Sequence, residues 1–535
     1  MSWETITPPT PIDSFDSNQQ RLRDSFETGK LDSVDFRLEQ LRTLWFKFYD
    51  NLDNIYEAVT KDLHRPKFET ELTEVLFVRD EFTTVIKNLR NWVKDEKVEN
   101  PGGPFQFANP RIRPVPLGVV LVITPWNYPV MLNISPVIAA IAAGCPIVLK
   151  MSELSPHTSA VLGRIFKEAL DPGIIQVVYG GVPETTALLA QKWDKIMYTG
   201  NGNVGRIIAQ AAVKHLTPLA LELGGKSPVF ITSNCNNVML AARRIVWGKF
   251  VNAGQICVAP DYILVAPEKE AELVACIKEV LQERYGPQSQ RNAHHPDLSH
   301  IISKPHWKRI YNMIAQTKGD IQVGGLENAD EENKFIQPTI VSNVPDDDIL
   351  MQDEIFGPII PIIKPRTLGQ QVDYVTKNHD TPLAMYIFSD DPKEIDWLQT
   401  RIRAGSVNIN EVIEQVGLAS LPLSGVGASG TGAYHGKFSF DVFTHKQAVM
   451  GQPTWPFFEY LMYYRYPPYS DHKMRVLRTL FPPVFIPRTG RPDATVLQRV
   501  LGNKLLWLVV AAIVAYAKRN DLLITIAQVM SVFIK

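Results

Sequence analysis

The chain has little cysteine, no surplus of charge of either sign and no apolar run long enough to be a full bilayer span. Its four cysteines in 535 residues, Cys145, Cys235, Cys257 and Cys276, form no CxxC pair and no Cys/His grouping at metal-ligand spacing. That excludes a disulfide framework and gives no metal site, and it points to a reduced, intracellular protein in which one thiol is free to react. Lys and Arg number 55 against 56 Asp and Glu, a formal net charge of -1. Nucleic-acid binders carry a basic surplus, so no nucleic-acid partner is expected. The first segment, MSWETITPPTPIDSF, has neither a basic start nor an apolar stretch and does not read as a secretory signal.

What is present is ordinary globular composition, 45% hydrophobic and 21% charged. At about 150 residues per domain the length suggests two to four domains. Residues 15–98 are rich in helix formers with apolar spacing near 3.6, as in LEQLRTLWFKFYDNLDNIYEAV. ENPGGPFQFANPRIRPVP then breaks the pattern. Beyond it, short apolar runs (LGVVLVIT, CPIVLK, IIQVVYG, KIMYTG) alternate with helical stretches, and SPVFIT, DYILVA, PLAMYIFS and SVNIN repeat the alternation between about 228 and 450. Fully apolar strands separated by helices are buried on both faces, which predicts two successive α/β units with parallel sheets.

The C-terminal region differs. From Arg465 to Lys504 stand eight basic residues against two acidic ones, followed by two apolar runs, Leu505–Ala517 and Leu522–Ile534, split by Lys518–Asp521. A 13-residue helix spans about 20 Å, short of a hydrocarbon core of about 30 Å. A hairpin or in-plane anchor fits these lengths better than a straight span. The alternative is that both runs are ordinary buried helices closing a soluble core; the terminal position and the cationic flank, which anionic headgroups would attract, favour membrane attachment through this tail.

Chemistry concentrates in four segments. In FVNAGQICVAPDY, Cys257 is flanked by small residues that leave room at the sulfur; ELGGKSP places Glu222 before a Gly-Gly turn, 35 residues upstream. PWNYP sets the Asn127 amide directly after a strand, and EIFGP carries Glu354 and Phe356. A lone cysteine is more often a buried structural thiol. The ordered company of an amide donor and two carboxylates reverses that reading. HHPDLSH (His294–His300) reads as a solvated loop, and Cys145, Cys235 and Cys276 read as structural.

With these segments in place, the sequence resembles the aldehyde dehydrogenase superfamily, specifically its class 3, fatty aldehyde branch. LELGGKSP and FVNAGQICVAPD are similar to the two active-site motifs of that superfamily, and SGTGAYHGKFSFDVFTHKQAV with RYPP is similar to the class 3 C-terminal signature. The resemblance implies an aldehyde dehydrogenase fold: a Rossmann-like cofactor domain, a catalytic α/β domain and a bridging β-arm, plus a membrane tail. The corresponding boundaries are 1–222 for the N-terminal helices and NAD(P)-binding domain, interrupted by an arm at 100–116; 223–429 for the catalytic domain; 430–452 for the oligomerisation arm; 453–504 for a basic capping segment; and 505–535 for the tail.

The resemblance also implies roles. Cys257 attacks the aldehyde, the Asn127 amide holds the oxyanion, and Glu222 activates the water that hydrolyses the thioester. Glu354 and Phe356 place the nicotinamide end of NAD, and Lys150 and Glu153 in IVLKMSE meet the adenosine ribose. A carboxylate there favours NAD over NADP, with NADP still possible. The family has proline after that lysine; here it is Met151. In YTGNGNVG, Gly200, Asn201 and Gly205 line the pyrophosphate, with Asn201 where the family has serine, and Leu223 borders the cofactor. Tyr128 and Trp247 are candidates for a substrate funnel.

The expected activity is oxidation of medium- to long-chain fatty aldehydes by a homodimer on a cytosol-facing membrane, the endoplasmic reticulum first, with peroxisomal or outer mitochondrial membranes physically equivalent. Two rivals are a CoA-acylating dehydrogenase, against which the hydrolytic base Glu222 argues, and a non-catalytic membrane scaffold.

Overall fold

The structure, a computed structural model, describes residues 6–101, 105, 107–364 and 366–480. The tail 505–535 and the second half of the basic segment lie outside the described residues. Contacts divide the chain into two units: 1–92 with 116–445, and 93–115 with residues from 446 onward.

The first unit opens with helices at Phe15–Glu27, Val34–Tyr49, Leu52–Leu63 and Leu76–Trp92. The second of these forms because Leu38, Leu41, Leu44 and Phe48 fall on one face and are buried, while the Ser33 hydroxyl caps its start by accepting from Phe36 N at 3.3 Å. One π-helical turn, Glu71–Val75, precedes the fourth helix and buries Glu74. Such turns recur at functional sites, and this one brings a carboxylate toward the site described below.

Two short strands follow, β1 (Glu96–Lys97) and β2 (Arg111–Pro116), paired antiparallel with Glu96 opposite Ile112. Then come β3 (Val120–Ile123), β4 (Ile147–Lys150), β5 (Ile175–Val178), β6 (Lys195–Gly200) and β7 (Leu219–Leu223). They form a sheet ordered β7-β6-β3-β4-β5, parallel throughout, with the two-residue strand Gly430–Thr431 antiparallel on the β7 edge. All four residues of β3 and of β4 are buried, as continuous apolar strands between helix layers require. The helix Met131–Ala143 is buried along its whole length, including Pro136.

In this sheet the strand order reverses between β3 and β6. Such a switch point opens a crevice at the carboxyl ends of the strands, where doubly wound sheets bind ligands. The segment Thr124–Pro129 leaves the end of β3 there, and Gly200–Asn201 leaves the end of β6.

A turn of only four residues, Gly224–Ser227, carries the chain from β7 into β8 (Pro228–Ile231) and the second sheet. The further strands are β9 (Tyr262–Val265), β10 (Asp320–Val323), β11 (Thr339–Val344), β12 (Ile359–Ile363), β13 (Ala384–Phe388) and β14 (Ser406–Ile409). Their order is β10-β11-β12-β9-β8-β13-β14, parallel except for the β10–β11 pair. Phe230, Tyr262, Leu264, Ile359 and Met385 centre its core.

The segments expected to form the arm divide differently. Thr444–Val449 joins β1 and β2 in a three-stranded sheet, whereas Gly430–Thr431 belongs to the first large sheet. The second unit continues through the helices Pro456–Met462 and Asp471–Leu480. No helix among the described residues is long and apolar enough to cross a membrane.

Candidate active site

Glu222 and Cys257 reach the site from different layers. Glu222 sits on β7, opposite Thr199 of β6 on one side and Gly430 on the other. It is 3% exposed, and neither carboxylate oxygen has a hydrogen-bond partner among the described residues. Burial alone drives its pKa well above the ordinary carboxylate value. A buried carboxyl left this way takes up a proton readily, which is what a general base requires.

Cys257 lies between the helix Val238–Phe250 and β9, on a loop with unusual backbone. Asn252, Ala253 and Gly254 all have left-handed φ, at 52°, 51° and 73°. Gly254 is obligatory here, because a Cβ would stand 2.3 Å from the Gly357 carbonyl oxygen. The half-buried thiol is pushed up to about 12, first by burial and then by Glu354 and Glu222; its own N–H and that of Val258 pull the other way. Backbone donors therefore face the sulfur, while two carboxylates keep the resting group a thiol.

Asn127 is 3% exposed, on the loop after β3. Its Nδ2 donates one hydrogen to Gln255 O at 3.0 Å, tying it to the Cys257 loop and leaving the second amide hydrogen. Glu354 is half-buried, and its carboxyl is pushed up to about 8, by burial first and then Asp261, against an opposing N–H from Gly225. It lies against the Gly-Gly turn: a Cβ on Gly224 would sit 2.2 Å from its Oε2. Phe356, in the left-handed region at φ 48°, meets the Trp126 ring edge-on at 5.5 Å.

The other predicted residues gather along the carboxyl edge of the first sheet. Lys150 ends β4, is 4% exposed and pairs with Glu153 at 2.9 Å. Gly200 ends β6 with no room for a side chain, since a Cβ would collide with the Tyr198 hydroxyl. Gly205 and Leu223 touch: a Cβ on Gly205 would lie 2.9 Å from Leu223 Cδ2. Asn201 caps the helix Gly202–Val213, its Oδ1 accepting from Val204 N at 3.0 Å. The expected donor is thus half used as an acceptor, with Nδ2 left to donate. An anchored helix N-terminus for a pyrophosphate and an ammonium–carboxylate pair for a ribose are the donor set a dinucleotide requires.

Tyr128 is buried, with the Arg65 guanidinium 4.7 Å from its ring centre, and the Cys257 charge is among the influences raising its phenol. Trp247 is half-buried on Val238–Phe250. The HHPDLSH segment is not wholly solvated as expected: Leu298, Ser299 and His300 are buried, and His300 stacks on His64 at 3.9 Å. Cys145 and Cys235 are buried, and Cys276 is half-buried.

Two groups escaped sequence reasoning. Tyr434 is 2% exposed, its hydroxyl has no hydrogen-bond partner among the described residues, and its phenol is raised by burial and then by Glu222 and Cys257. Its only sequence signal is its place in GAYHG. Arg65 is 0% exposed and reaches both the Asn127 and the Cys257 loops. Its preceding DLH gives no hint of that.

The sequence pattern of the aldehyde dehydrogenase family matches residues 21–449. Aldehyde dehydrogenase family 3 member B1 of Mus musculus is 40% identical over 466 residues, 87% of this chain and 97% of that protein. The Mus musculus "aldehyde dehydrogenase, dimeric NADP-preferring" is 41% identical, over 82% of this chain and 95% of that one. Among solved structures, the substrate-bound state of Staphylococcus aureus AldH superposes with a TM-score of 0.81 at 35% identity, covering 87% of this chain and 99% of that chain. The chain therefore belongs to the aldehyde dehydrogenase family. It is an NAD(P)-dependent oxidoreductase that oxidises aldehydes, and its relatives near 40% identity are of the family's class 3.

Proposed function

We propose that the chain oxidises medium- to long-chain fatty aldehydes to the acids through a covalent Cys257 adduct. The observation that carries this is a half-buried Cys257 thiol raised first by burial, then by Glu354 and then by Glu222, whose buried carboxyl has no hydrogen-bond partner among the described residues. Cys257 Sγ, once deprotonated, attacks the aldehyde carbonyl to give a thiohemiacetal. Its oxyanion is held by the remaining amide hydrogen of Asn127 and the Cys257 N–H. Removing one such donor typically costs about 3–4 kcal/mol in the transition state. A nicotinamide dinucleotide, when bound, would supply the oxidising power as a two-electron hydride acceptor. A Cys257 thioester remains, and Glu222 takes the proton from the water that hydrolyses it.

The cofactor would be held by Lys150 and Glu153 at its adenosine ribose, and by Gly200, Asn201, Gly205 and Leu223 near the pyrophosphate. Glu354 and Phe356 would hold it at the nicotinamide ribose. The relative named NADP-preferring makes the choice between NAD and NADP a matter for measurement. The same relative is named dimeric, which supports a homodimer.

The substrate class rests on the apolar runs at 505–517 and 522–534 behind the basic segment, which would hold the enzyme at a cytosol-facing membrane such as the endoplasmic reticulum. Tyr128 and Trp247 line the approach. At about 0.8 kcal/mol per buried methylene, each added methylene inside an apolar tunnel raises kcat/KM about fourfold. Initial rates across aldehydes of rising chain length, with NAD and with NADP, for the full chain and one ending at Lys504, test this. Rising kcat/KM with chain length is expected; a flat profile would remove the fatty aldehyde reading and leave the dehydrogenase intact.

A further inference from the structure

Arg65 is a buried cation that the mechanism above does not use. It follows His64, itself in the left-handed region at φ 51°, and precedes Pro66, so the backbone holds it outside any helix. Its donors go three ways. Nε donates to Asn252 Oδ1 at 3.1 Å, Nη1 to Glu74 Oε1 at 2.5 Å, and Nη2 to the main-chain oxygen of Asn127. Glu69 lies 3.6 Å from Nε.

Each partner belongs to a different element of the site. Asn127 carries the amide after β3. Asn252 begins the left-handed run before Cys257, and its Nδ2 donates both to Asn127 O at 2.9 Å and to Gln255 O at 3.1 Å. Glu74 Oε2 accepts from Val130 N at 2.7 Å and Met131 N at 2.8 Å, where the helix Met131–Ala143 begins. Glu69 accepts from Asn252 N at 2.7 Å. One planar guanidinium thus spans the amide loop, the thiol loop and the helix start, and only arginine offers donors in a fixed fork at that breadth.

We propose that Arg65 is a positioning residue that holds the Asn127 carboxamide in register with the backbone of the Cys257 loop, so that the oxyanion site is assembled before substrate arrives. This rests on the roles given above to Cys257 and Asn127. Lysine keeps the charge but concentrates its donors on one atom, so it cannot reach Asn127, Asn252 and Glu74 together. The two loops then drift relative to one another, and a shift of about 1 Å at a reacting centre costs roughly 100-fold in rate.

The test compares two reactions of the same thiol in the full-length enzyme. With p-nitrophenyl acetate, the Cys257 thiolate attacks the ester carbonyl, an oxyanion forms, p-nitrophenolate leaves, and water later cleaves the thioester. With iodoacetamide, the sulfur displaces iodide and no oxyanion forms. In Arg65→Lys, the p-nitrophenolate burst is expected to slow roughly 100-fold. Alkylation should stay within about threefold of wild type, because it does not use the oxyanion site. Asn252→Asp, which keeps the Arg65 partner but loses the donor to Asn127, should give the same selective loss and serves if Arg65→Lys folds poorly. Equal slowing of both reactions, or of neither, in these variants would overturn the proposal. A burst that survives Cys257→Ser would overturn the underlying roles and the proposal together, whereas a burst lost in Cys257→Ser but unchanged in Arg65→Lys overturns the proposal alone.

Discussion

Replacing Gly224 by alanine tests the placement of Glu354 more sharply than replacing Glu354 itself. The added Cβ would fall 2.2 Å from Glu354 Oε2 and 2.6 Å from its Cδ and Oε1, whereas ordinary contact begins at 3.4 Å. The carboxylate must therefore retreat by about 1 Å, and as the end of a flexible side chain it can. Gly224 itself does not occupy the left-handed region, so alanine brings no backbone strain. It lowers the entropy of the unfolded chain by an amount worth about 0.4–1 kcal/mol. Thermal unfolding should thus move little. If Glu354 holds the nicotinamide ribose, its displacement above about pH 8, where the carboxyl is ionised, removes hydrogen bonds to a charged group worth about 1.5–3 kcal/mol. The dissociation constant for NAD then rises roughly 10- to 100-fold. Titrating NAD against tryptophan fluorescence, beside a melting curve, measures both. Unchanged NAD affinity with an unchanged melting point would refute the role of Glu354. A large fall in melting point would refute the claim that the carboxylate can yield.

Two further predictions concern the thiol loop. Because the Cys257 thiol is raised to about 12, thiolate is scarce at neutral pH and grows with alkalinity. Iodoacetamide alkylation of the cofactor-free enzyme should go on rising about tenfold per pH unit beyond pH 8.5, where an ordinary thiol levels off. Glu354→Gln should move the profile to lower pH, and a wild-type plateau near 8.5 would contradict the electrostatic account. Gly254→Ala places a Cβ against main-chain atoms of Gly357 and Lys249 at a φ of 73°. Left-handed strain and overpacking together should destabilise the fold by about 2–5 kcal/mol, read from the denaturant midpoint.

The α/β architecture was legible because buried parallel strands are written as unbroken apolar runs. VLVI, IVLK, PVFI and YILV each proved buried throughout. The thiol, the carboxylates and the amide were legible as motifs. Arg65 was not, because its partners Asn127 and Asn252 lie 62 and 187 residues away and no local pattern records such a meeting. Asn201 was read as a pyrophosphate contact because it stands where the resembled family has serine. The helix behind it claims its oxygen first, since an N-cap is the nearer demand. The histidine-rich segment misled because its polarity reads as exposure, while His300 finds an aromatic partner in His64.

With Glu222 as the proposed base, its unpartnered carboxyl sets activity against heat resistance. Its two buried oxygens have no hydrogen-bond partner among the described residues, a condition that costs about 1–3 kcal/mol. An apolar group of the same shape at this position would remove that cost. A population of variants ranked by melting temperature alone would therefore drift toward chains that hold together longer and turn over nothing. Selection for durability in this fold has to be coupled to turnover, or it will discard the carboxyl that the proposed hydrolysis needs.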